Sequence, residues 1–94
     1  MKNYKLFAFT NEEKEAISKK ARNLGVVYGI GALRRGGEFV YIYTKKRIVR
    51  TGIYYKYFKI HQNVYISVHD FLALPESKFV QRRIDIQLME RVGK

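Results

Sequence analysis

His61 and His69 are the only histidines in this 94-residue chain, and both lie in a segment crowded with lysine, arginine and tyrosine. Those residue types could cleave a phosphodiester without a metal. Imidazole would act as base or acid, cations would meet the developing phosphorane charge, and a tyrosine would lend a proton. The same side chains also suffice for binding alone, and the two histidines fall at opposite ends of one expected hairpin. Other chemistry is poorly supplied. With no cysteine and no clustered carboxylates, a structural zinc site lacks a donor set. Ser67 has no evident base and acid partners, and Asp70 and Glu76 read as the opening of a last helix rather than as a catalytic pair. We therefore expect a protein that is not an enzyme and carries no cofactor or metal. A metal-independent ribonuclease of toxin type is the one enzymatic alternative.

The charge pattern points to binding. Between Ala16 and His69 stand eleven lysines or arginines, a single acid, Glu38, and every tyrosine except Tyr4. Elsewhere the charges nearly cancel, so almost all of the net +11 sits in just over half the chain. A solvated surface normally mixes both signs, whereas a one-signed segment suits a polyanion. Alternation from Phe39 places Phe39, Tyr41, Tyr43, Lys45 and Arg47 on one strand face, against Val40, Ile42 and Thr44 on the other. The next run alternates less cleanly, with Tyr55, Tyr57 and Lys59 against Tyr54, Lys56 and Phe58. Rings bordered by cations suit single-stranded nucleic acid, because every base has a π-face to stack while cations track phosphate.

Arg34, Arg35, Lys45, Lys46, Arg47, Arg50, Lys56 and Lys59 are the expected phosphate contacts. Tyr41, Tyr43 and Tyr57 are the expected stacking platforms, although strand tyrosines also serve as plain packing. The expected partner is nucleic acid, RNA ahead of DNA, contacted without sequence selection. The alternative is a protein-binding effector or inhibitor, virus-encoded or a host regulatory subunit, that acts on a nucleic-acid enzyme or its complex. Exposed tyrosine and arginine serve both. A membrane partner is not expected, because membrane-surface charge usually comes on an amphipathic helix and here it falls on strands and turns.

The elements that must hold these residues follow from spacing. Residues 1–94 suit one basic domain, which buries about two thirds of its unfolded surface, and 47% apolar content with one proline argues for a globular chain. No export signal or membrane span is evident, and the missing cysteines weakly favour a cytoplasmic setting. Tyr4 to Phe9 reads as a strand, and Thr10-Asn11-Glu12-Glu13 is a capping box that starts a helix at Asn11. Ile17, Ala21 and Leu24 form its buried stripe, Gly25 its left-handed end, and Lys19 and Arg22 point outward.

Gly25 to Leu33 then reads as a strand, Arg34-Arg35-Gly36-Gly37 as a turn, and Glu38 to Thr44 as its hairpin partner. A second turn near Arg50-Thr51-Gly52 leads to strands at Ile53 to Ile60 and Val64 to His69. Pro75 opens a last helix with Val80, Ile84, Leu88 and Val92 on one side, and Phe79 and Ile86 on another side that could pair two copies. A strand over Ile84 to Leu88 is the alternative there. The expected fold is α+β, in the order β-α-β-β-β-β-α, with a mainly antiparallel sheet and helices packed on one face.

Arg35-Gly36-Gly37-Glu38-Phe39-Val40-Tyr41-Ile42 resembles the RNP1 octapeptide of RNA recognition motifs at Arg35, Gly36, Phe39 and Val40, about thirty residues after Leu6-Phe7. It departs from that pattern at Gly37, Glu38 and Ile42, and Lys45 to Lys59 reads as strand where the family has its second helix. The chain is not assigned to the family on these four positions.

Overall fold

The computed structural model describes residues 2–76, so the expected helix through Val80, Ile84, Leu88 and Val92 lies outside the described residues. Local signals near the N-terminus are realised directly. Strand β1 spans Tyr4–Phe7 and helix α1 spans Asn11–Asn23. Thr10 caps α1 reciprocally: the Glu13 N–H donates to Thr10 Oγ1 at 3.1 Å, and the Thr10 N–H donates to Glu13 Oε1 at 3.2 Å. At the other end, the Gly25 N–H donates to Arg22 O at 3.0 Å and the Val26 N–H to Ala21 O at 2.9 Å. This is a Schellman closure, and it needs Gly25 at φ +93°, where a side chain would be strained. Ile17, Ala21 and Leu24 are buried, as their spacing predicts.

The chain then departs from the expected strand ladder. Residues 26–31 form no strand; they run along the edge of a later strand through one parallel bridge, Tyr28 to Ile48. A one-turn helix, α2, follows at Ala32–Arg35 and places Arg34 and Arg35 on a helix rather than in a hairpin turn. The cause lies in period. Val26, Ile30 and Leu33 are the buried residues here, at steps of four and three, while Val27 and Tyr28 are exposed. Their β-branched composition misleads where their spacing does not.

Strands β2 (Phe39–Tyr43) and β3 (Ile48–Gly52) form an antiparallel hairpin around Thr44 to Arg47. Arg50, Thr51 and Gly52, expected in a turn, are therefore strand residues opposite Tyr41, Val40 and Phe39. Tyr55–Ile60, expected as a strand, is helix α3. A two-residue strand β4 (Val64–Tyr65) follows, and the rest of the expected last strand is helix α4 (Val68–Leu72). Ser67 caps α4 by accepting from the Asp70 N–H at 3.0 Å, which gives the Ser67 hydroxyl a structural role and places Asp70 in the first turn.

The result is a small α+β domain whose sheet runs β3-β2-β1-β4, with β1–β2 and β2–β3 antiparallel and β1–β4 parallel. On one face Leu6, Val40, Ile42 and Val49 pack with Ile17 and Ala21 of α1, Leu33 of α2 and Phe71 of α4. Each such side chain contributes about 1.5–3 kcal/mol by leaving water. The opposite face carries a smaller core of Phe39, Tyr41 and Phe58, flanked by Phe7 and Tyr43, and α3 supplies the Phe58 lid. One-face packing thus describes α1, α2 and α4, while α3 covers the reverse side.

What seats α3 is Lys5. Its side chain leaves β1 on that reverse side, and the residue is only 9% exposed. Nζ donates to the carbonyl oxygens of Phe58 at 2.6 Å, Lys59 at 3.3 Å and His61 at 2.9 Å, and lies 5.0 Å from the Phe58 ring centre. These carbonyls form the partly negative C-terminal end of the helix, so one ammonium supplies both hydrogen bonds and charge. Lys5→Met should therefore lower the unfolding free energy by about 2–3 kcal/mol in urea titrations. A variant as stable as the wild type would mean that the carbonyls are equally well served by water.

Candidate nucleic-acid interface

Helix α3 has six residues and buries one of them. Phe58 sits in the sheet-side core, 4.6 Å from the Phe7 ring and 4.9 Å from Phe39. The remaining rings of the segment stay in water: Tyr54 is 71% exposed, and Tyr55 and Tyr57 are both more than half exposed. Tyr65, edge-on to Phe58 at 6.2 Å, and Phe9, stacked on Phe7 at 5.6 Å, extend this surface across β4 and the end of β1. Exposed rings gathered in one region, rather than scattered singly, mark an interaction surface.

The expected stacking tyrosines are redistributed. Tyr41 is 3% exposed, covered by Phe58 and edge-on to Tyr57 at 5.5 Å, so it cannot serve as an open platform. Tyr43 is half-buried and hydrogen-bonded to His61, whereas Tyr57 is exposed as expected. Tyr54, Tyr55 and Tyr65 are exposed rings that strand alternation did not single out. A signal was present, because Tyr54, Tyr57 and Phe58 are spaced three and four apart, as on one side of a helix. Phe39, one of the four positions that resemble the RNA recognition octapeptide, is buried beneath Phe58 of α3.

The cations separate into two groups. Lys45, Lys46 and Arg47 are exposed in the β2–β3 turn, Arg50 is exposed on β3 opposite Tyr41, and Lys56 and Lys59 are exposed on α3. None of these six has an ion-pair partner among the described residues. Arg34 and Arg35 belong to α2, on the far side of the sheet. Arg34 also grips the Glu15 carboxylate, Nε to Oε2 at 3.1 Å and Nη2 to Oε1 at 2.5 Å. It lines a cleft of about 460 Å³ with Lys19 and Arg22, which the sequence leaves as bystanders. The eight expected phosphate contacts therefore do not converge: Arg50 shares a cleft with Tyr54 and Tyr57, Lys56 and Lys59 stand on α3 among the exposed rings, and Lys45, Lys46 and Arg47 stand at the hairpin turn.

His61 is fixed by both ring nitrogens. Nδ1 accepts from the Asn63 N–H at 3.1 Å, which places the proton of the neutral ring on Nε2, where it faces the Tyr43 hydroxyl at 2.9 Å. Burial, and then the Lys5 charge, push its pKa below the ordinary 6.5. Burial also raises the Tyr41 and Tyr43 phenols, with the neighbouring Tyr57 adding to both and Arg50 opposing at Tyr43. His69 is exposed on α4, across the sheet from this cluster, so the two histidines do not share a site.

Among the described residues no three His, Cys, Asp or Glu side chains are grouped to hold a metal ion, and no helix is long and apolar enough to cross a membrane. No protein-family model, curated protein or solved structure matches the chain.

The His61 geometry has a measurable consequence. The ring takes up a proton more readily in the unfolded chain than in the folded one, so its stabilising contribution is complete above pH 6.5 and is lost as the pH falls through the lowered folded value. Urea midpoints at pH 7.5 and 5.5 should differ more for the wild type than for His61→Gln. Equal differences would show that His61 takes no part in the acid response.

Proposed function

We propose that this protein binds single-stranded nucleic acid, RNA ahead of DNA, without sequence selection, across the surface built by α3. The observation that carries this reading is the interleaving of exposed Tyr54, Tyr55, Tyr57 and Tyr65 with Arg50, Lys56 and Lys59, cations that have no ion-pair partner among the described residues. Lys45, Lys46 and Arg47 extend the positive potential from the hairpin tip. Each stacked base is worth about 1–3 kcal/mol, and each neutralised phosphate releases counterions. Unpaired bases are what such a surface takes, because a duplex hides the base faces and leaves only its backbone and groove edges. It acts as a binding protein rather than an enzyme, and a cysteine-free chain suits work in a reducing cytoplasm.

Fluorescence anisotropy with labelled oligouridine at several salt concentrations tests this reading. If about five phosphates are neutralised, the log–log salt slope should be near −3.5. A flat response would count against nucleic acid. Retention of a protein partner after nuclease digestion would favour a protein-binding effector in its place.

Arg47 offers a clean probe, because it adopts a left-handed backbone, φ +59°, that glycine accepts more readily. Arg47→Gly should keep its urea stability within about 1 kcal/mol of the wild type. The salt slope should become shallower by about 0.7, and an unchanged slope would remove the hairpin tip from the interface.

A further inference from the structure

We infer that the cleft between the β2–β3 hairpin and the segment leading into α3 receives one unpaired base of the bound strand, with Arg50 on an adjoining phosphate; this rests on the nucleic-acid reading above. The cleft has a volume of about 460 Å³, and Tyr41, Tyr43, Arg50, Gly52, Tyr54 and Tyr57 are among its walls. That volume lies in the range of clefts that hold small planar ligands. Two of its walls, Tyr54 and Tyr57, are exposed rings that give a base a face to stack on.

A second observation is independent of the rings. The Tyr41 hydroxyl is buried and has no hydrogen-bond partner among the described residues, on a residue that is 3% exposed. A buried phenol left unsatisfied costs stability, and folded chains rarely retain one without a use. The hydroxyl can donate or accept, and the edge of a nucleobase presents both kinds of partner. Tyr57, edge-on to Tyr41 at 5.5 Å and exposed, is the ring that turns aside to let a base reach it. Arg50 faces Tyr41 across the β2–β3 pair and has no ion-pair partner among the described residues, so a base beside Tyr41 brings its phosphate within reach of the guanidinium.

The floor is kept open by glycine. Gly52 pairs with Phe39, and a Cβ there would lie 3.5 Å from the Tyr41 ring, an ordinary contact. Gly52→Ala is therefore compatible with the fold, and Gly52→Val fills more of the same space.

Mononucleotides and oligonucleotides test the assignment together. Uridine or adenosine monophosphate should shift the NMR resonances of Tyr41, Gly52 and Tyr57, whereas ribose 5-phosphate should shift Arg50 alone. Gly52→Val should weaken oligouridine binding at least tenfold, with Gly52→Ala between it and the wild type, while the salt slope stays unchanged. Tyr41→Phe should raise the urea midpoint yet lower mononucleotide affinity, since a merely structural phenol would alter stability without touching affinity. An abasic strand bound as tightly as oligouridine would overturn the base site. So would Gly52→Val binding with wild-type affinity, or cleft shifts produced by an acidic peptide and not by a mononucleotide. Wild-type affinity in Gly52→Val overturns the base site alone and leaves the strand-binding reading standing, whereas that reading fails separately if wild-type protein binds oligouridine with no salt dependence.

Discussion

The cation that matters most to this very basic chain is one that no partner can reach. Lys5 leaves the middle of the sheet and ends against three carbonyl oxygens at the C-terminus of α3, more than fifty residues away in sequence. An isolated helix of six residues is unstable in water, since nucleation costs more than so few hydrogen bonds return. Phe58 is the one side chain α3 buries, and hydrogen bonds from a charged donor are of similar magnitude to that burial. The helix exists where it does because a strand residue holds it there. Tyr54, Tyr55, Tyr57, Lys56 and Lys59, exposed around this helix and its approach, inherit their positions from that one ammonium.

This arrangement moves the sticky surface off the sheet. A four-stranded sheet with rings along one face would ordinarily present those rings, but here Phe39 and Tyr41 form the base of a second small core. The outward rings belong to a short helix and its approach. His61 ties the end of this helix to Tyr43, so the helix is held at its C-terminus and open toward the hairpin at its start.

How much of this could be read from the chain depended on whether each element owed its existence to local signals. The Thr10–Glu13 box and Gly25 delimit α1, and its buried stripe of Ile17, Ala21 and Leu24 follows from period alone. The alternation of Val40 and Ile42 marks β2 and its core side. The segments Gly25 to Leu33 and Ile53 to Ile60 are different, because each is rich in residues that favour strands and each is shaped by a distant partner. Residues 26–31 follow the edge of β3, and Gly29 approaches the Val49 carbonyl so closely that a Cβ could not be accommodated. Helix α3 is shaped by Lys5. Composition reports what a side chain prefers on average, whereas period reports which residues are buried; in Gly25 to Leu33 the spacing of Val26, Ile30 and Leu33 was the truer guide, while Ile53 to Ile60 buries only Phe58 and offers no such period. The candidate site followed the same division: the cations Arg50, Lys56 and Lys59 stand on the proposed surface, while Tyr41 was displaced from it by a helix that alternation could not foresee.

The same run beside β3 decides how another molecule can engage the sheet. The Tyr28 N–H donates to Arg47 O and the Val49 N–H to Tyr28 O, both at 3.0 Å, so the outer main chain of β3 is already spoken for along part of its length. At the other end of the described sheet β4 is two residues long, too short to template a strand. Neither border offers a full row of amides and carbonyls. Among the described residues, a peptide adding as a fifth strand would therefore find only a partial row of main-chain groups, whereas the rings and charges of α3 stand exposed.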